Sequence, residues 1–252
     1  MSNYWPTGTV YGTLLNFQAE RDAMAAQMTQ APYKAPPVAP VLYVKTVNTW
    51  SANGAGVPVP QHVPLVEVGA TIAMVFWPPA PVNKAKSATI LEASFVLMND
   101  FSIPHASYFR PPAKFKCLDG FLGLGSHLVG AQVAGDPQKF ALEVRINGEL
   151  KQTVDFSGLV RNATQLIADV GNFMTLREGD VLMLGLDCLP GGGRPLAKVG
   201  DVVEISSPSL PALGTLSNTL IAERQFFDGP PQEKLAPSGG SAVDKVTSVG
   251  AR

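Results

Sequence analysis

The densest collection of reactive side chains in this 252-residue chain is one run, Asn99-Asp100-Phe-Ser-Ile-Pro-His105-Ala-Ser-Tyr-Phe-Arg110-Pro-Pro-Ala-Lys114-Phe-Lys116-Cys-Leu-Asp119-Gly-Phe121. Two carboxylates, an imidazole, a guanidinium and two ammonium groups follow an apolar stretch here, in a protein only 15% charged. Such crowding points to a polar pocket, in which an imidazole can carry a proton and fixed cations can hold an anion. The alternative is a solvated connection with an Asx-turn at Asn99-Asp100. The other candidates are more scattered. His62 and His127 stand in no readable dyad, and His105, five residues past Asp100, is the best placed of the three as a proton carrier. Gly191-Gly192-Gly193 has no strand–Gly-x-Gly-x-x-Gly–helix context, so a nucleotide loop is not expected. Cys117 and Cys188 have no Cys or His neighbour at zinc spacing and read as buried thiols.

The elements that must position these groups are mostly strands. The 24 Gly and 22 Pro punctuate short apolar runs. Residues 41–45, 66–76, 140–146, 180–184 and 201–205 are β-rich and bounded by turn residues. Strict alternation in Leu142-Glu-Val-Arg-Ile146, then Asn147-Gly148, then Glu149 to Val154 predicts a hairpin with a type I′ turn. Helical pattern is confined to Ala19–Gln30, to about Gly158–Phe173 capped by Ser157, and to a third candidate over Lys84–Met98. The class is therefore α+β, mainly β, with one domain over residues 1–225 and a flexible Pro/Gly/Ser-rich tail over 226–252.

A formal net charge of -1 gives no basic footprint, so nucleic acid is not an expected partner. No apolar run reaches membrane-spanning length, and the N-terminus lacks the regions of a signal peptide. The expectation is a soluble, cytoplasmic protein with no membrane partner. Its 46% apolar content and few charges predict burial of surface against a second subunit.

Six segments in order carry a resemblance. They are Pro32-Tyr-Lys34-Ala-Pro-Pro, Val44-Lys45-Thr-Val-Asn48-Thr, Asn99-Asp100, Tyr108-Phe-Arg110-Pro, Lys116-Cys-Leu-Asp119-Gly-Phe and Leu176-Arg-Glu-Gly179-Asp. Over about residues 8 to 223 the chain resembles the fumarylacetoacetate hydrolase superfamily, and within it the isomerase and decarboxylase branch of homoprotocatechuate (4-hydroxyphenylacetate) breakdown. The resemblance implies a layered β-sheet domain with a few short helices. It implies a divalent metal, usually Mg²⁺, held by Glu-x-Glu on a strand and by the Asp of Asn-Asp, where it would chelate a 2-oxo acid and stabilise its enolate.

Asp100 matches the last of those ligands. Counting back by the family's spacing lands on Thr71, so Gly69 and Thr71 replace the two glutamates and Mg²⁺ binding is expected to be weak or absent. Glu67 lies two positions earlier on the same strand face, either a displaced ligand or an ordinary polar residue. The hydrolases' Asn-Tyr-x-x-His-x-x-Glu becomes Asn16 to Ala23, with Glu20 at the His position and Ala23 at the Glu position, so hydrolysis by that dyad is not implied.

What the resemblance leaves is a catalytic set of Lys116, Asp100 and His105 and a substrate-binding set of Arg110, Lys45 and Asn16. Arg110 would grip a distal carboxylate, while Lys116 and Lys45 would stabilise oxygens. The implied substrates are dicarboxylate and tricarboxylate 2-oxo acids: 2-hydroxyhepta-2,4-diene-1,7-dioate for isomerisation, and 5-oxopent-3-ene-1,2,5-tricarboxylate for decarboxylation. Isomerisation is favoured, because moving an allylic proton needs a base, a donor and cationic stabilisers but no metal. The alternative is a non-catalytic subunit. Either way the expected assembly is a homodimer, or a heterodimer with a homologous metal-bearing subunit.

Overall fold

The computed structural model describes residues 4–77, 93–105, 107, 109 and 112–224. In chain order these form β1 (Val10–Leu14), α1 (Gln18–Met28), β2 (Val41–Lys45), β3 (Trp50–Ser51), β4 (Gly56–Val59), β5 (Val66–Glu67), β6 (Ala70–Phe76) and β7 (Ala93–Asp100). There follow α2 (Ala113–Lys116), β8 (Leu122–Leu124), β9 (Val129–Gly130), α3 (Ala131–Ala134), β10 (Ala141–Ile146) and β11 (Glu149–Asp155). The last are α4 (Ala163–Gly171), β12 (Val181–Met183), β13 (Leu196–Ala197), β14 (Val202–Ser206) and β15 (Thr215–Ala222).

The larger sheet runs β2-β1-β12-β6-β7-β8-β3 with β9 also on β7, a second runs β11-β10-β14-β15-β4, and β13 pairs with β5. Both faces of β6 and β7 are covered, which explains why all of their residues but Thr71, Ser94, Asn99 and Asp100 are apolar. Ile72, Met74, Phe76, Phe95 and Leu97 pack on one side with Leu142, Val144, Ile205 and Leu216 of the second sheet. Ala73, Val75, Val96 and Met98 face the other way, onto Val10, Tyr43, Leu122 and Met183. Continuing that alternation puts Asp100, at the end of β7, on the same face as Val96 and Met98.

Several expectations need correction. The helix over Lys84–Met98 is contradicted from Ala93 onward, where the chain is β7 paired along its length with β6; the remainder of that range lies outside the described residues. Asn99 and Asp100 form no Asx-turn, because they pair in register with Gly123 and Leu122 of β8. The run 66–76 is two strands, broken where Val68 N–H donates to the Pro195 carbonyl, 2.9 Å away. Helix α4 starts later than expected: Asn162 caps it by accepting from Gln165 N–H at 2.9 Å, while Ser157 N–H donates to Asp155 in a separate 3-10 turn. Cys117 and Cys188 are half-buried rather than buried. The hairpin at Asn147-Gly148 forms as expected, with φ of 52° and 80° at its two turn residues. Residues 225–252, which include the expected tail, lie outside the described residues. No helix among the described residues is long and apolar enough to cross a membrane.

Candidate functional site

Asp100 is the centre of a buried group built by three elements. Strand β2 brings Tyr43 and Lys45, two residues apart and so on one face, and the short helix α2 brings Lys116. Lys116 Nζ donates to Asp100 Oδ2 at 2.7 Å, and Lys45 Nζ lies 2.8 Å from Oδ1. The Tyr43 hydroxyl donates to Oδ2 as well, and Lys116 Nζ rides over the Tyr43 ring, 5.1 Å from its centroid. All four residues are buried, with Lys116 at 0% and Lys45 and Asp100 at 1% exposure, so Asp100 and Lys116 are withdrawn from solvent, while Lys114 and Asp119 of the same run are exposed. Tyr43 fits because Gly12 lies opposite it on β1: a Cβ at Gly12 would come within 2.0 Å of the tyrosine Cζ.

The two lysines are used differently. Lys45 donates to the carbonyls of Phe121 at 2.8 Å, Phe101 at 3.5 Å and Lys116 in addition to facing Asp100, so its ammonium is spent on holding backbone together. Lys116 gives one bond to Asp100 and one face to a ring, which leaves donor capacity for a ligand oxygen. Burial pushes Lys45 below the usual lysine range, against the opposing pull of Asp100. Burial would raise the Asp100 carboxyl, but Lys116 and Lys45 outweigh it and hold the group well below the usual carboxylate range. Burial and then the Asp100 charge keep the Tyr43 phenol well above its ordinary value, so its proton stays in place.

The residues present do not fit a divalent metal. Gly69 pairs so tightly with the end of β7 that a Cβ there would lie 2.4 Å from the Asp100 carbonyl oxygen, and Asp100 N–H donates to the Gly69 carbonyl at 2.8 Å. Thr71 turns its hydroxyl to the Gly185 carbonyl at 2.6 Å. The Asp100 carboxylate is already held by two ammonium groups and a phenol, and no cluster of three ligand side chains occurs among the described residues.

A second buried group lies where the resemblance places the hydrolytic dyad. Glu20 accepts from Leu15 N–H at 2.6 Å with Oε2, and its Oε1 is bonded by Arg194 Nη2. The Arg194 Nη1 stands 3.7 Å from Glu67 Oε2. Arg194 is delivered by Gly191-Gly192-Gly193, with φ of 87°, 95° and 73°, a backbone path open to glycine. Glu67 is thus a partner of Arg194, beside Ser102 on the far side of its β-bridge.

Of the remaining candidates, His105 stacks on Phe115 at 4.5 Å and bonds the Ile103 carbonyl through Nδ1 at 2.9 Å; burial lowers its pKa. Asn16 is buried and bridges backbone, donating to the Leu184 carbonyl at 2.7 Å and the Arg161 carbonyl at 3.1 Å and accepting from Arg161 N–H at 3.0 Å. Arg110 lies outside the described residues. His127 contacts Ser126 Oγ at 3.2 Å, and His62 lines a separate cavity of about 490 Å³ with Leu65, Ile103, Lys114 and Phe115. Tyr43 and Arg194 were not among the sequence candidates. The signal for Tyr43 was its place two residues before Lys45 on a predicted strand; for Arg194 it was a cation directly after three glycines.

The arrangement holds the Lys116 ammonium away from water and fixed against the Asp100 carboxylate. Comparison with known proteins gives this chemistry a context. The family described as fumarylacetoacetate (FAA) hydrolase C-terminal matches residues 9–221. The chain is 32% identical to the 4-hydroxyphenylacetate degradation bifunctional isomerase/decarboxylase of Salmonella dublin, over 87% of this chain and 48% of that protein. It is also 32% identical to the homoprotocatechuate catabolism bifunctional isomerase/decarboxylase of Escherichia coli, over 86% of this chain and 48% of that protein. The chain therefore spans about half the length of these relatives. The crystal structure of 5-carboxymethyl-2-hydroxymuconate delta-isomerase from Mycobacterium smegmatis has the same fold, with a TM-score of 0.62, 22% identity and coverage of 85% of this chain and 78% of that one. The family match along nearly all of the described chain, with the two relatives and the shared fold, establishes that this protein belongs to the fumarylacetoacetate hydrolase family.

Proposed function

We propose that this chain is a subunit of an isomerase/decarboxylase of 4-hydroxyphenylacetate breakdown, with isomerisation of 2-hydroxyhepta-2,4-diene-1,7-dioate as its favoured reaction. The observation that carries the reading is the Lys116 ammonium, sealed from water and fixed by Asp100 with donor capacity to spare. A dienol becoming a ketone puts negative charge on its 2-oxygen as the proton moves, and a fixed cation in a dry site stabilises that charge strongly. Asp100 stays ionised throughout and keeps Lys116 in place. Arg110, expected from the sequence to meet a distal carboxylate, would fix the length of the diacid. The names of the relatives support the same reaction pair.

The test is turnover of the dienoic diacid by the purified chain with and without Mg²⁺. We expect activity in both, a kcat at least about tenfold lower in Lys116→Ala, and a higher KM in Arg110→Ala. A second reading rests on its own observation, the tight Gly69–Asp100 contact that replaces metal ligands: a non-catalytic subunit paired with a metal-bearing homologue. It becomes the better reading if the chain alone is inactive and light scattering shows a heterodimer on mixing; a strictly monomeric mass in both cases would remove it.

A further inference from the structure

Tyr43 is absent from the set of residues that the resemblance marks, yet it touches both chemically interesting members of the Asp100 group. Its hydroxyl donates to Asp100 Oδ2, the same oxygen that receives Lys116 at 2.7 Å. Its ring lies under the Lys116 ammonium at 5.1 Å, a distance at which the negative face of an aromatic ring attracts a cation. The side chain is sealed at 7% exposure. Its seat is made by the missing side chain of Gly12, where any Cβ would run into the ring. On the other side Tyr43 lines an apolar cavity of about 500 Å³ with Leu14, Val41, Pro112 and Ala113.

We propose that Tyr43 is the positioning residue of this site: its ring carries the Lys116 ammonium, and its hydroxyl fixes the carboxylate oxygen that Lys116 shares. A lysine has a flexible four-carbon stem, so one hydrogen bond leaves its ammonium free to swing about the carboxylate. The ring removes that freedom by supplying a second point of attachment. The hydroxyl removes it from the other partner, since Oδ2 with two donors cannot rotate away. Lys116 then presents its remaining N–H groups in one direction, which is what stabilising charge on a single substrate oxygen requires. The kinetic part of this inference rests on the isomerase reading; the placement of Lys116 does not.

Two variants and two measurements test it. Tyr43→Phe keeps the ring and loses the hydroxyl, so kcat for the dienoic diacid should fall about tenfold or more while KM stays within about twofold, as expected when a bond to a charged group is lost from a positioning contact. Tyr43→Leu loses both parts and should lower kcat further. Independently, Lys116 should resist acetylation by acetic anhydride, read by peptide mass spectrometry, in wild type and Tyr43→Phe. In Tyr43→Leu it should be labelled at least about tenfold faster, with circular dichroism unchanged. A wild-type kcat in Tyr43→Phe overturns the role of the hydroxyl. Equal protection of Lys116 in a folded Tyr43→Leu overturns the role of the ring. If Tyr43→Leu fails to fold, rapid labelling of Lys116 in the folded Tyr43→Phe would overturn the ring's role, and protection there upholds it. If wild type turns over no diacid, the isomerase reading falls and the labelling decides the placement alone.

Discussion

The two buried charge groups are mirror images in composition. Around Asp100 one carboxylate serves two ammonium groups and a phenol, while around Arg194 one guanidinium serves two carboxylates. The first has an excess of one positive charge, whereas in the second the guanidinium faces more than one carboxylate, with Asp187 also in the field of Glu20 and Arg194. They also feel each other. Arg194 and Glu20 contribute to the field at Tyr43, and Lys116, Glu67 and Arg194 all contribute to the field at His105. They differ in what supports them. The Asp100 group sits on β2, β7 and α2, whereas Arg194 hangs on a glycine loop 174 residues from Glu20. A strand-borne group is fixed by the sheet; a loop-borne one is fixed by its own ion pairs.

The sharpest way to break this contrast is to remove the central charge from each group. Asp100→Ala leaves two ammonium groups buried without their partner, and we expect a loss of about 3–5 kcal/mol in urea unfolding, the range for an uncompensated buried charge. Arg194→Met takes the guanidinium away from Glu20 and Glu67 instead, while Glu20 keeps its bond from Leu15 N–H. Glu67 keeps 13% of its side chain in water and can hydrate, so the loss should be smaller, near the low end of about 3 kcal/mol. Equal losses, or a larger one at Arg194, would show that the loop rather than the sheet carries the stability of the site.

Gly69 sharpens the comparison from the side of the sheet. Because a Cβ there meets backbone rather than a flexible side chain, Gly69→Ala should cost about 1–3 kcal/mol through overpacking, read in the same urea titration. Building the family's ligands back as Gly69→Glu with Thr71→Glu should not yield a calorimetric Mg²⁺ affinity tighter than about millimolar, since Asp100 remains tied to Lys45 and Lys116. A micromolar site in that double variant would show that the strand register at Gly69 can yield.

How much of this was legible follows the same division. The hairpin at Asn147-Gly148 and helix α1 could be read because their signals are local: a turn needing positive φ, and a run of good helix formers. The importance of Asp100, Lys45 and Lys116 could be read from residue types and resemblance. Their burial could not, because it depends on β7 rather than a turn carrying Asn99 and Asp100. β7 was mistaken in part for a helix because a strand covered on both faces loses the alternation that would mark it. The Arg194 group was illegible for a different reason. Arg194 reaches Glu20 on α1 and Glu67 on β5 from a loop, and no periodicity connects these elements to a cation after three glycines. Asn16 shows the converse: a residue marked by resemblance for the substrate spends its amide on two backbone carbonyls.

The smallest expected effect concerns His105, which lies in the field of both groups. Burial lowers its pKa below the ordinary 6.5, with the Lys116 charge adding to the shift and the Ile103 carbonyl and Glu67 opposing it. The folded protein therefore prefers the neutral imidazole. As pH falls through 6.5 the unfolded chain takes up the proton first, so the stability that this group contributes above 6.5 is lost as pH drops toward the lower folded value. Unfolding free energy measured at pH 7 and pH 5 should fall in wild type and fall less in His105→Gln, which keeps a polar side chain but cannot titrate. Other groups titrate in the same window, so the quantity that matters is the difference between the two proteins. If both lose the same stability, His105 is not held neutral by its stack on Phe115. If His105→Gln loses more, the imidazole gains its proton on folding, and the positive excess around Asp100 does not reach as far as it.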